Sequence, residues 1–132
     1  MALRKIINTD YINMHGKVLI IDDDARNIFA LGATLRAKGY PYIAASSAQQ
    51  GIAFLNGSDD ISIVLIDMMM PDMDGYEAIP RIKQQHTIPV IAVTAQAMVG
   101  DKEKCLQAGA DDYIAKPIDV DKLVGILKSY IK

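Results

Sequence analysis

Val18-Leu19-Ile20-Ile21-Asp22-Asp23 decides how the rest of the chain is read. Four aliphatic residues with no polar alternation, three of them β-branched, describe a short strand buried on both faces, as in a parallel sheet. The run then stops abruptly at carboxylates. A second run, Ile63-Val64-Leu65-Ile66, ends the same way in Asp67. A carboxylate just past such a strand stands at the C-terminal edge of the sheet, where open α/β sheets bind ligands. Gathering Asp22, Asp23 and Asp67 there is unfavourable by itself, since each pair repels by about 1 kcal/mol in water and about 4 kcal/mol at an intermediate dielectric. The arrangement makes sense around a hard divalent cation that takes oxygen ligands.

Outward from these runs, strand-like and helix-like segments alternate, with strands recurring every 20–26 residues or so, roughly the rhythm of βα units. Strand one is expected at about 17–21. A helix follows to about Lys38, with Ile28, Leu31 and Leu35 on one stripe and Gly39 placed to end it. Tyr42 to Ala45 reads as a weak second strand, and Ser47-Ala48-Gln49-Gln50 as a capping box opening a helix that stops at Asn56-Gly57. Strand three is expected at 62–66, followed by a turn-rich loop through Pro71-Asp72-Met73-Asp74-Gly75. Asp74 can cap a third helix, in which Pro80 predicts a kink or a displaced first turn. Ile88–Val93 reads as strand four, Ala97–Ala108 as a helix ended by Gly109, Asp112–Ala115 as strand five and 119–130 as the last helix. Right-handed crossovers put helices on both faces. The fold class is α/β, a doubly wound five-stranded parallel sheet.

Composition narrows the function classes. The 132 residues fit one domain, and the 51% apolar share suits a sheet covered on both sides. Fourteen basic against sixteen acidic residues give a formal charge of −2, with no basic footprint for nucleic acid and no polybasic stretch for a membrane surface. A lone Cys105 leaves no intramolecular disulfide and fits a reducing compartment. No apolar run approaches the roughly 18 residues of a membrane span. The expected location is the cytoplasm. Residues 1–16 fall outside the βα scheme and read as an N-terminal tail or linker, with a docking helix bearing Ile6, Ile7, Tyr11, Ile12 and Met14 as the alternative. The domain proper is expected at 17–132.

Asp22-Asp23, Asp67, Thr94 and Lys116 all fall at expected strand ends. Four stretches carry a resemblance: Val18-Leu19-Ile20-Ile21-Asp22-Asp23-Asp24, Asp67-Met68-Met69-Met70-Pro71-Asp72-Met73-Asp74-Gly75, Ile91-Ala92-Val93-Thr94-Ala95 and Ala110-Asp111-Asp112-Tyr113-Ile114-Ala115-Lys116-Pro117. In this order and spacing the chain resembles the receiver domain of two-component response regulators over about residues 17–131. The stretch from Ala97 to Cys105 is most similar to receivers attached to hybrid histidine kinases.

The resemblance implies a flavodoxin-like (βα)5 fold with strand order 2-1-3-4-5. It implies Asp67 as the phosphoacceptor, taking a phosphoryl group from the phosphohistidine of a histidine kinase or a histidine phosphotransfer protein. It implies Mg²⁺ held by Asp23, Asp67 and the backbone carbonyl of Met69, with Asp22 acting through a bound water. Lys116 would pair with phosphoryl oxygens, Thr94 would offer its hydroxyl to the modified form, and Tyr113 would shift as Thr94 moves. The readout surface would be the fourth helix, fifth strand and fifth helix, acting on an unknown downstream protein, and Lys116-Pro117 would be cis. The chain would be a switch rather than an enzyme with free substrates, and a monomer or a weak phosphorylation-dependent dimer.

Plainer readings exist for each residue. Asp22-Asp23 can cap a helix, but Asp24 is the better cap and Asn27 a helix-surface contact. Asp72 and Asp74 read as turn and cap, Met68-Met69-Met70 as packing, and Cys105 as a packed helix residue. Tyr113 can be a half-buried strand tyrosine, and His15 and His86 stand isolated. A haloacid-dehalogenase-type phosphatase needs an acid two residues past its nucleophile, where this chain has Met69. A flavodoxin-like cofactor carrier needs phosphate donors after strand one, where Asp22-Asp23-Asp24 would repel phosphate. A pseudo-receiver would not need all five site positions filled. Met69, together with Gln96 two residues past Thr94, would flank the path of water to a phosphoaspartate, so slow self-hydrolysis is expected.

Overall fold

The computed structural model describes residues 16–95 and 99–131. The expectations for the tail before Gly16 and for Gln96 lie outside the described residues. Five strands and five helices alternate: β1 Lys17–Ile21, α1 Ala25–Ala37, β2 Tyr42–Ala45, α2 Ala48–Gly57, β3 Ile61–Asp67, α3 Gly75–Gln85, β4 Val90–Thr94, α4 Asp101–Gln107, β5 Asp112–Ala115 and α5 Val120–Tyr130. The strands form one parallel sheet in the order β2-β1-β3-β4-β5. Among the described residues no helix is long and apolar enough to cross a membrane.

Alternate strand residues feed two cores. Leu19, Ile21, Val64 and Ile66 pack with α2, α3 and α4, while Val18, Ile20, Ile63 and Leu65 pack with α1 and α5. Residues Ile20, Ile21, Leu65 and Ile66 lie directly behind the carboxylates and are buried. Each contributes about 1.5–3 kcal/mol by burial. That offsets the repulsion among the acids they hold at the sheet edge.

Local signals explain most boundaries. Asp24 caps α1 by accepting from Arg26 N at 2.9 Å. Gly39, at φ 85°, ends it in a Schellman arrangement, with Tyr40 N donating to Leu35 O and Gly39 N to Arg36 O. The capping box of α2 is offset by one residue. Ser47 Oγ accepts from Gln50 N, but the Gln50 side chain returns to Ser46 N rather than to Ser47.

Three expectations are corrected. Pro80 does not displace the start of α3, which Asp74 caps; it lies inside the helix at an exposed position. β4 begins at Val90 rather than Ile88, because Pro89 has no N–H for the ladder and serves only as acceptor for Val64 N. The helix expected from Ala97 is shorter, since Val99 and Gly100 form a turn and Gly100 takes a left-handed φ of 91°.

Candidate functional site

The site is assembled at the C-terminal edge of β1, β3, β4 and β5. Asp22 continues the line of β1, its N–H donating to Ala45 O at 3.1 Å, and its Oδ1 accepts from Asp24 N at 2.9 Å. Asp67 is the last residue of β3 and pairs in register with Val93. The next residue holds that position, Met68 N donating to Val93 O at 3.0 Å, and Met69 N donates to Asp67 Oδ1 at 3.2 Å. Asp22 and Asp67 are only 5% and 7% exposed, whereas Asp23 is open to solvent.

Lys116 crosses this cluster. Its N–H donates to Thr94 O at 2.7 Å, which fixes the β5–α5 connection to the end of β4. Its Nζ lies 3.5 Å from Asp22 Oδ2 and 3.6 Å from Asp67 Oδ2. The Lys116-Pro117 bond is cis, as the resemblance implied. One ammonium therefore faces two buried carboxylates and a third beside them, leaving the site net negative. Burial is the main cause that raises the Asp67 carboxyl above its ordinary pKa, and Asp22 and Asp23 add to it. The Met69 N–H and Lys116 oppose it.

One carboxylate oxygen from each of Asp22, Asp23 and Asp67 lies within 4.8 Å of the other two. The donor set is oxygen alone, two of its three members are buried, and the one cation paired with them among the described residues, Lys116, is shared between two of them. That chemistry fits a hard divalent ion of the Mg²⁺ class rather than a thiolate- or imidazole-seeking metal.

Of the residues singled out from sequence, Asp22, Asp23, Asp67 and Lys116 are brought together. Thr94 is buried at the end of β4, paired in register with Ala115. Tyr113 sits two residues further from the edge than Ala115, opposite Ala92, half-buried against the core on the α2–α4 side and outside the carboxylate cluster. Asp74 caps α3 through Glu77 N, and Asp72 occupies a turn at φ 66°. Cys105 is packed in α4.

The packing reading of the three methionines holds for Met68 and Met70 but fails for Met69. Its side chain is 54% exposed beside the site, because its position past β3 faces outward once Met68 turns into the core. Asn27, read as a surface contact of α1, lines the site cleft. That cleft, ≈ 560 Å³, has Asp22, Asn27, Asp67 and Lys116 at one end and Leu31, Ile118 and Val120 along its walls.

Comparison with known proteins agrees with this geometry. Residues 18–128 match the family described as the response regulator receiver domain. The signal transduction histidine-protein kinase BarA of Escherichia coli K12 is 38% identical over 125 residues, covering 92% of this chain and 14% of that kinase. The receiver domain of sensor histidine kinase PA1611 from Pseudomonas aeruginosa PAO1, solved with a magnesium ion coordinated in its active-site cleft, has a TM-score of 0.79 at 34% identity. It covers 87% of this chain and 96% of that one. The receiver domain of the response regulator Ssk1 from Saccharomyces cerevisiae, solved with the histidine phosphotransfer protein Ypd1, gives a TM-score of 0.79 at 25% identity, covering 87% and 89%. The chain spans about half the length of the shorter curated relatives it matches.

Proposed function

The chain belongs to the response regulator receiver domain family, and on that premise we propose that it is a phosphorylation-operated signalling switch that turns over no free substrate. The observation that carries the reading is Lys116 Nζ poised 3.5 and 3.6 Å from Asp22 and Asp67 at the open edge of the sheet. An acceptor carboxylate, a compensating ammonium and spare acid ligands are what transfer of a charged phosphoryl group requires.

In the proposed reaction a carboxylate oxygen of Asp67 attacks the phosphorus of a phosphohistidine. The P–N bond breaks as the acyl phosphate forms, and the imidazole departs. Asp23, Asp67 and the backbone carbonyl of Met69 are the groups that would hold Mg²⁺, with Asp22 acting through a bound water. When bound, that ion neutralises charge on the phosphoryl oxygens. Lys116 exchanges its carboxylate partners for the phosphoryl group, and Thr94 turns its hydroxyl toward it. Tyr113 follows Thr94, and the surface formed by α4, β5 and α5 becomes the readout. The donor would be a histidine kinase or a histidine phosphotransfer protein. Support comes from PA1611, whose receiver domain is part of a sensor histidine kinase, and from Ssk1, which was solved with such a transfer protein. We place the domain at 17–132, acting as a monomer or a weak phosphorylation-dependent dimer.

The test is phosphoryl transfer from a purified, phosphorylated histidine phosphotransfer protein in Mg²⁺ and in EDTA. Label should move to the wild-type chain in Mg²⁺ alone and never to Asp67→Ala. Transfer to the Asp67→Ala protein at the wild-type rate would place the acceptor elsewhere and end this reading.

A further inference from the structure

Helix α4 is docked through a face that is half polar. Its buried residues are Asp101 and Cys105, one turn apart. Leu106 is 40% exposed, and Val99, just ahead of the helix, is fully exposed. The helix starts from a left-handed Gly100 with no side-chain cap. Asp101 is 5% exposed, and its Oδ1 accepts a hydrogen bond from Tyr76 Oη of α3 at 3.3 Å. Its Oδ2 is buried and has no hydrogen-bond partner among the described residues. Burial, Cys105 and Asp101 push the Tyr76 hydroxyl up to about 12, so it stays protonated and donates. An unpaired buried carboxylate oxygen opposes docking of the helix that carries it. An element with few buried apolar side chains opens locally before the rest of the fold does. Tyr76 thus supplies the one hydrogen bond described for the Asp101 side chain, and it is a long one.

Tyr76 is also tied to the acceptor loop. Its neighbour Gly75 donates to Met68 O at 3.1 Å. A Cβ at Gly75 would meet Met68 Sδ at 2.4 Å and Met68 Cα at 2.9 Å, so the two backbones are in direct contact. Met68 follows Asp67 and is fully buried. A displacement at Asp67 cannot be absorbed between Met68 and Gly75, because there is no space there to absorb it.

We propose that the Tyr76–Asp101 hydrogen bond is a latch holding α4 on α3, and that a phosphoryl group on Asp67 loosens it through Met68 and Gly75. The proposal rests on the switch reading above and adds a route to α4 that runs through α3 rather than through Thr94 and Tyr113. In the loosened state Asp101 meets water, and its unpaired oxygen is satisfied there.

Cys105 is the sole cysteine of the chain and is fully buried, so its maleimide labelling reports the opening of α4. Labelling is measured on the full chain in Mg²⁺, with and without beryllofluoride as phosphoryl mimic. Without the mimic, Tyr76→Phe should label roughly tenfold faster than wild type, as for loss of one hydrogen bond to a charged group. Weak urea dependence of the rate marks this as local opening rather than unfolding. With the mimic, wild type should gain by a similar factor and Tyr76→Phe by much less. Equal labelling of the two proteins without beryllofluoride overturns the latch. A wild-type rate unmoved by beryllofluoride, when its fluorine NMR spectrum shows the bound mimic, overturns the coupling to Asp67. Absence of bound mimic counts against the switch reading and the coupled half with it, while the Tyr76→Phe comparison still decides the latch.

Discussion

Asp67 carries two opposed demands. As the proposed acceptor it would have to be ionised to attack phosphorus, yet burial and two neighbouring acids disfavour its charge. Because its folded pKa is raised, its contribution to stability is full below the ordinary carboxyl value of 3.8 and is lost as pH rises through the higher folded value. At neutral pH without Mg²⁺ it therefore weakens the fold. Asp67→Asn should unfold at higher urea concentration than wild type under those conditions, and the difference should shrink toward pH 4. Urea titrations at several pH values in EDTA check this; a less stable Asn variant at pH 7 contradicts it. On the proposed function, Met69 would set the lifetime of the phosphorylated chain. Its exposed apolar side chain cannot orient a hydrolytic water, so Met69→Asn should shorten the half-life of the phosphorylated chain several-fold. Equal half-lives in a time course of phosphate release would remove that role.

At the scale of elements, positions of chemistry were more legible than boundaries. The strand ends at Asp22 and Asp67 are readable because an aliphatic run that stops at a charge fits a buried strand reaching an edge. The weak strand Tyr42–Ala45 was readable too, from its place in the βα rhythm. Helix α4 is shorter than its sequence suggests, because Gly100 takes a left-handed φ that sets the helix start at Asp101. The Tyr76–Asp101 contact was invisible, since it joins residues 25 apart in the chain through a fold-dependent approach of two helices. Contact between Gly75 and Met68 was hidden for the same reason. It makes Gly75→Ala a sharp test of the loop, because the added methyl has to displace Met68 backbone as well as its flexible tip. The variant should lose about 1–3 kcal/mol of stability, as overpacked sites do. A midpoint unchanged in urea would mean that the loop yields freely, and the proposed route to α4 would lose its rigid link.

The described residues form one sheet between two cores, with Asp22, Asp23 and Asp67 at one rim. A ligand that binds only the folded chain at that rim stabilises the entire unit by mass action. Millimolar Mg²⁺ should therefore raise the thermal midpoint of wild type, and EDTA should reverse the gain. Asp23→Asn, which keeps the shape and removes an exposed carboxylate charge, should gain much less. A midpoint in wild type indifferent to Mg²⁺ across that range would argue against cation binding among Asp22, Asp23 and Asp67.

Most direct of all is intact mass after incubation with Mg²⁺ and acetyl phosphate, with EDTA and Asp67→Ala as the two comparisons. The wild-type chain in Mg²⁺ should gain a single phosphoryl group, and neither comparison should gain any. A folded wild-type chain that gains none in Mg²⁺, or an Asp67→Ala chain that gains one, would contradict Asp67 as the acceptor.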